Sequence, residues 1–148
     1  MSINIDPTLW GPSAWKFMHY ITLSYPDKPT TTDMNSVRTF FTTVANLLPC
    51  EKCRVEYTSL LKQNPLTQRV MSSRNNLSIW LLDIHNKVNV KLGKPEESYQ
   101  QMTQNYMGPN TGNYSSMMFN LDTNTLIIIL IVAIILILVV VLRIKNSS

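Results

Sequence analysis

Leu126 to Leu142 is an unbroken run of 17 apolar residues, and it divides this 148-residue chain in two. At 1.5 Å per residue such a helix is about 26 Å long, just enough to cross a thin bilayer core. The predicted layout is a globular domain over 1–106, a linker over 107–124 rich in Gly, Pro, Asn and Ser, a transmembrane helix over 125–143, and a tail over 144–148. About 105 residues before the linker suffice for one small core. The N-terminus, Met1-Ser-Ile-Asn-Ile-Asp-Pro7, lacks the charged and apolar regions of a signal peptide. The expectation is a single-pass membrane protein whose globular domain stays in the cytosol. Arg143 and Lys145 follow the span, a pattern that conventionally marks the cytosolic side. The tail is short enough to cross regardless, so the orientation rests on the missing signal. The net charge of +4 comes from Lys and Arg scattered singly, with no aromatic residues interleaved in a basic cluster. That argues against a nucleic-acid partner.

The first hundred residues carry helical periodicity and no alternating strand pattern. Pro12 opens a predicted first helix running to about Ser24, with Trp15, Met18, His19 and Thr22 on one face. After the loop Pro26–Asp33, Thr32 or Asp33 can cap a second helix. Its apolar stripe is Val37, Phe40, Phe41, Val44, Leu47 and Leu48, and Pro49 breaks it. A third helix is expected from about Glu51 to Lys62, ended by Asn64-Pro65. Ser72, Ser73 and Asn75 offer caps for a fourth, from about Asn76 to Leu92, stopped by Gly93 with Pro95 beyond. A short fifth covers about Glu96 to Gln104. The fold class is all-α, a four-helix bundle plus a short fifth helix.

The chain has two cysteines, too few for a disulfide scaffold. Cys50-Glu-Lys-Cys53 sets them one helical turn apart, within disulfide range. A helix N-terminus and Lys52 both favour the thiolate. Redox work and metal binding are both open to such a pair. Cys50, Cys53, His19 and His85 match a zinc site by count, but the histidines stand 31 residues before and 32 residues after the pair, unlike a zinc finger. A thioredoxin reading needs a βαβ context, which is absent.

The fourth helix narrows the choice. It reads from Trp80 through His85-Asn86-Lys87-Val88-Asn89-Val90-Lys91-Leu92-Gly93-Lys94-Pro95. His85, Val88 and Asn89 share a face, and a core-facing helix seldom carries His and Asn unless something polar binds there. Together with Gly11-x-x-x-Trp15-x-x-x-His19, Tyr25-Pro26 and Pro49-Cys50-x-x-Cys53, this segment resembles the Erv/ALR family of FAD-linked sulfhydryl oxidases over roughly residues 9–100.

The resemblance implies a helical bundle holding FAD at one end without a Rossmann glycine fingerprint. It implies a flavin-dependent thiol oxidase that makes disulfides in protein dithiols and passes electrons to oxygen, giving hydrogen peroxide. Cys53 would be the flavin-proximal cysteine and Cys50 the outer one that meets the substrate. Gly11, Trp15, His19, Tyr25, Cys53, Trp80, His85, Asn86, Val88, Asn89 and Leu92 match positions around the cofactor. Lys91 and Lys94 match cationic positions near its ribose and phosphates. Tyr99 or Tyr106 is a candidate to close the site. Homodimers through helices near the flavin are implied as well.

The chain also departs from cellular members. Leu61 and Leu82 stand where those members carry a second disulfide joining helices three and four, so apolar packing is expected to replace it. No cysteine remains for a distal shuttle. A compact, shuttle-free oxidase with a membrane segment resembles the versions of large cytoplasmic DNA viruses, which points to a host or virion membrane. Without a shuttle, a small relay protein with its own exposed C-x-x-C is the expected substrate. The rival reading is a tail-anchored helical adaptor with structural cysteines.

Overall fold

The computed structural model describes residues 3–108, and beyond them 130–132, 134, 135, 137 and 143. Two units are distinguished, Met1–Asn110 and Thr111–Ser148. In the first, five α-helices follow one another: α1 Pro7–Leu23, α2 Thr31–Leu47, α3 Glu51–Gln63, α4 Arg74–Lys91 and α5 Tyr99–Met107, with a 3-10 turn at Val70–Ser72 before α4. No strand occurs among the described residues. In the second unit the few described residues are helical, with exposed side chains. The predicted linker lies almost wholly outside the described residues, the predicted span lies largely outside them, and the 144–148 tail lies wholly outside. No helix among the described residues is long and apolar enough to cross a membrane.

The helix starts are set by capping chemistry that periodicity alone does not locate. α1 begins at Pro7, five residues before the expected Pro12, because Asp6 caps it by accepting from the Thr8 N–H at 2.9 Å and Pro7 suits the first helical position. Pro12 lies inside the helix, where it offers no N–H to the carbonyl of exposed Thr8. α2 is capped by Thr30 rather than Thr32 or Asp33. Asp33 serves as the third helical residue of a capping box, its carboxylate accepting from the Thr30 N–H at 2.8 Å. Ser73 caps α4, so that helix starts two residues early. A second capping box, Ser98 with Gln101, moves α5 about three residues on. The domain consequently reaches Met107, and Gly108 stops it at a positive φ of 84°.

α1 packs on α4 and α2 on α3, with the 3-10 turn against both α2 and α4. Phe41, Met71, Leu77, Leu81 and Ile84 are wholly enclosed, and Trp80 stands edge-on to Phe41 with ring centroids 5.0 Å apart. The predicted α1 face holds: Met18, His19 and Thr22 are buried and Trp15 is half-buried. The α2 stripe loses Leu47, which is 72% exposed because Val37, Phe41 and Ala45 carry the buried face. A second apolar cluster joins Leu23, Leu82 and Met102, flanked by Tyr99, Tyr106 and Met107. Leu82 thus faces α1 and α5, while Leu61 borders the main core on α3. The expected α3–α4 apolar pair is replaced by packing of α4 on α5. Removing Phe41, the ring at the centre of the main core, leaves a cavity. Phe41→Ala is expected to cost about 3–5 kcal/mol, read as a lower urea midpoint.

Candidate functional site

Pro49 ends α2, and the chain turns into α3 through Cys50, whose extended backbone makes it the N-cap. Cys50 and Cys53 are joined in a disulfide with Cα atoms 5.2 Å apart. The Cys53 N–H donates to Cys50 Sγ at 3.2 Å, so the cap of this helix is itself a redox atom. Sulfur at the positive end of a helix dipole is favoured as thiolate once the bond is cut. Both cysteines are half-buried, and Lys52 between them is exposed.

One turn beyond Cys53 on the same face of α3 stands Tyr57, which is buried. Its ring meets Trp15 of α1 edge-on at 6.5 Å. Trp15 in turn lies flat on His85 of α4, 4.2 Å between centroids and 13° between planes. His85 Nδ1 and His19 Nε2 share a hydrogen bond at 3.1 Å, and Tyr106 of α5 stacks on His19 at 4.8 Å. Four helices therefore contribute to one cluster of flat rings. Burial, reinforced by His85, pushes His19 down to about 3. Burial and the Lys94 ammonium push His85 down to about 4. Both rings are neutral near pH 7, so one donates and the other accepts. His19 Nδ1 and the Tyr57 hydroxyl are buried without a partner among the described residues. Each such group costs about 1–3 kcal/mol if it stays unmet, and so marks where a ligand's polar edge belongs.

An open cleft of about 630 Å³ lies between α3 and α4, lined by Lys52, Val55, Glu56, Ser59, Leu60, Gln63, Lys87 and Lys91. That volume is ordinary for a cofactor or small-molecule site. Lys91 reaches Glu56 across it at 2.6 Å.

Of the residues expected at the site, Trp15, His19 and His85 come together in the ring cluster, and Cys53 adjoins it through Tyr57. Val88 is half-buried and Asn89 buried further along α4. A Cβ at Gly11 would meet nothing within 4 Å, so a helix-interior glycine faces open space there. Lys91, Leu92 and Lys94 are exposed at the end of α4. Three expected residues have their polar groups engaged elsewhere. The Tyr25 hydroxyl donates to the Met71 carbonyl at 3.1 Å. The Trp80 indole donates to the Asn64 carbonyl at 2.9 Å. Asn86 clamps the backbone of Glu97, donating to its carbonyl at 2.8 Å and accepting from its N–H at 2.9 Å. Asn86 thereby fixes the loop that delivers α5, and with it Tyr106. Both late aromatics border the second apolar cluster, and Tyr106 also stacks on His19. Tyr57, Glu56 and Lys87 are not singled out by the sequence. For Tyr57 the available signal was its place four residues after Cys53. The four side chains of a Cys2His2 zinc reading are paired off two by two, sulfur with sulfur and ring with ring.

Residues 12–107 match the sequence profile of the Erv1 / Alr family. A protein of Acanthamoeba polyphaga mimivirus, named as a probable FAD-linked sulfhydryl oxidase, is 43% identical over 97 residues, covering 66% of this chain and 68% of its own. A relative from Invertebrate iridescent virus 6, whose name carries the same activity, is 38% identical over 96 residues, covering 62% and 86%. The crystal structure of the FAD binding domain of Erv1 from Saccharomyces cerevisiae superposes with a TM-score of 0.65 at 27% identity, covering 71% of this chain and 98% of that one.

The neutral histidine pair predicts how stability depends on pH. Unfolded histidines take up protons near 6.5, whereas His19 and His85 in the fold wait until about 3 and about 4. The unfolded state therefore binds more protons between those limits, and stability falls as pH is lowered through that window. Stability should fall from pH 7 to pH 4.5 by up to about 1.4 kcal/mol per pH unit for fully buried His19, read as a falling melting temperature. His19→Asn should flatten that slope, and an unchanged slope would count against a neutral pair.

Proposed function

The chain belongs to the Erv1 / Alr family, and from that premise we propose that it is an FAD-dependent sulfhydryl oxidase, which oxidises protein dithiols to disulfides at Cys50 and Cys53. The observation that carries this reading is the redox disulfide set one turn of α3 away from a ring cluster with unmet buried polar atoms.

The residues present fit FAD. The cofactor offers a flat ring system with polar edges and a pyrophosphate. Trp15, Tyr57, His85 and Tyr106 offer flat rings, and His19 Nδ1 and the Tyr57 hydroxyl offer unspent hydrogen-bonding capacity. The open space at Gly11 admits a ligand close to the α1 backbone. Lys91 and Lys94, with Lys52 and Lys87 on the cleft wall, offer cations for phosphates. In this reading Gly11, Trp15, His19, Cys53, His85, Val88 and Asn89 hold the cofactor, with Tyr57 and Tyr106 added to them. Tyr25, Trp80 and Asn86 act on the site through the core and the α4–α5 loop, and Leu92 sits at its margin. Bound FAD would supply the two-electron acceptor chemistry between the Cys50/Cys53 dithiol and oxygen, with hydrogen peroxide as the product.

The protein's own part is thiol–disulfide exchange. A substrate thiolate attacks Cys50 Sγ, the Cys50–Cys53 bond breaks, and Cys53 leaves as a thiolate. The second substrate thiol then attacks the mixed disulfide, releasing the oxidised substrate and a reduced pair. Cys50 takes the outer role because it sits at the helix mouth, whereas Cys53 shares a face with Tyr57. The α3 N-terminus lowers the cost of the departing charge on Cys53. The neutral His19–His85 pair keeps two hydrogen-bonded rings at the site without adding positive charge.

The same reading extends to the partners. A small protein with an exposed C-x-x-C suits half-buried Cys50 better than a folded client with enclosed cysteines. Leu126–Leu142 serves as a single-pass anchor in a host or virion membrane, concentrating the enzyme beside such a relay. Two copies paired through helices near the site complete the proposal, and exposed Phe17 and Tyr20 give α1 an apolar outer face for it.

Oxygen consumption with a small dithiol tests the assignment. The wild-type chain should consume oxygen, and Cys50→Ser and Cys53→Ser should each reduce the rate to background while keeping flavin absorbance. Near-normal consumption by either variant would contradict the assigned roles.

A further inference from the structure

Resting on the oxidase reading, we propose that Asn4–Asp6 is a clasp on the redox turn, with Asn4 as a positioning residue that holds the Cys50 and Cys53 thiols at bridging distance while the pair is reduced. The local cap of α3 is incomplete. A sulfur is a weak acceptor, and an N-cap side chain reaches the second or third helical N–H, not the first. Cys50 Sγ accordingly serves Cys53, the third residue of α3, and leaves the N–H of Glu51, the first, without a local partner. Asn4 supplies it from 47 residues away, its Oδ1 accepting from Glu51 at 2.9 Å. The next residue adds a second bond, the Ile5 N–H donating to the Pro49 carbonyl at 2.8 Å. The arm is tied to its own helix by the Trp10 indole N–H, which donates to the Ile5 carbonyl at 3.2 Å.

These bonds land on Pro49 and Glu51, on either side of Cys50, and none of them uses a sulfur. When the disulfide takes up two electrons and two protons to become two thiols, the Cys50 cap changes character, but the clasp does not. Only the backbone then keeps the sulfurs close. A backbone held at the bridging geometry raises the effective concentration of one thiol against the other. The clasp therefore favours the disulfide over the dithiol and lowers the reduction potential of the pair.

The test is the potential of the couple in the full-length, flavin-loaded chain, equilibrated without oxygen in glutathione buffers. Free thiols are trapped with a mass-tagged maleimide. The chain has only these two cysteines, so the label count reads the couple directly. Asn4→Ala is expected to make the pair easier to reduce by about threefold to tenfold, a rise of about 15–30 mV. Asn4→Asp, which keeps the acceptor, should restore the wild-type value. Trp10→Phe, which keeps the ring and removes the tie to Ile5, should shift the couple the same way. Ile3→Ser, at a position 83% exposed, should leave it unchanged. An unshifted or oppositely shifted Asn4→Ala would overturn the clasp, and so would Asn4→Asp shifted as far as Asn4→Ala or Ile3→Ser shifted equally. The couple is read without turnover, so failure of the oxidase reading appears separately, as a wild-type chain that consumes no oxygen with a dithiol.

Discussion

The hydrogen bond between His19 and His85 is the contact on which the site depends. It crosses the α1–α4 interface, and both rings are held neutral by burial. A neutral imidazole pair has one donor and one acceptor at the shared bond, so its outer nitrogens are left for other groups. The protein gives Trp15 and Tyr106 to the ring faces and nothing to His19 Nδ1. A helix interface that buries two histidines gives up hydrophobic contact, and a small core tolerates that where the rings have a ligand to meet.

The rest of the domain brings the sulfur chemistry to that pair. α3 leans on α2, α4 leans on α1, and the cleft lies between α3 and α4. Tyr57 links the two halves, since it shares a helix face with Cys53 and touches Trp15. The second apolar cluster and the Asn86 clamp hold α5 so that Tyr106 closes over His19.

Much of this was legible in the sequence, and the remainder was hidden for physical reasons. Spacing of three and four residues exposed the buried face of α1 and most of α2, because packing selects for periodicity. The C-x-x-C beside a proline marked the redox turn, and His85-Asn86-x-x-Asn89 marked the polar face of α4. Helix starts were misplaced where two residues suited one role. Pro7 and Pro12 both fit a first turn, and only the Asp6 side chain decides between them. Asn86 looked like a ligand because an amide on a helix face carries no sign of which backbone it will bond. Its partner, Glu97, is set by the path of a loop. Tyr57 was overlooked because an aromatic at helical spacing usually belongs to the core, and only its unpaired hydroxyl and its contact with Trp15 distinguish it. The resemblance sets Leu82 of α4 opposite Leu61 of α3, whereas it packs with Leu23 and Met102, because the turn that returns α5 across α4 leaves no periodic signal.

The most direct test is the visible spectrum of the purified full-length chain, recorded before and after a dithiol is added without oxygen. The protein should be yellow, carrying close to one tightly bound FAD per chain, and its colour should fade with the dithiol and return when air is admitted. A folded chain that stays colourless when offered FAD would contradict the oxidase reading, and so would one whose bound flavin is untouched by the dithiol.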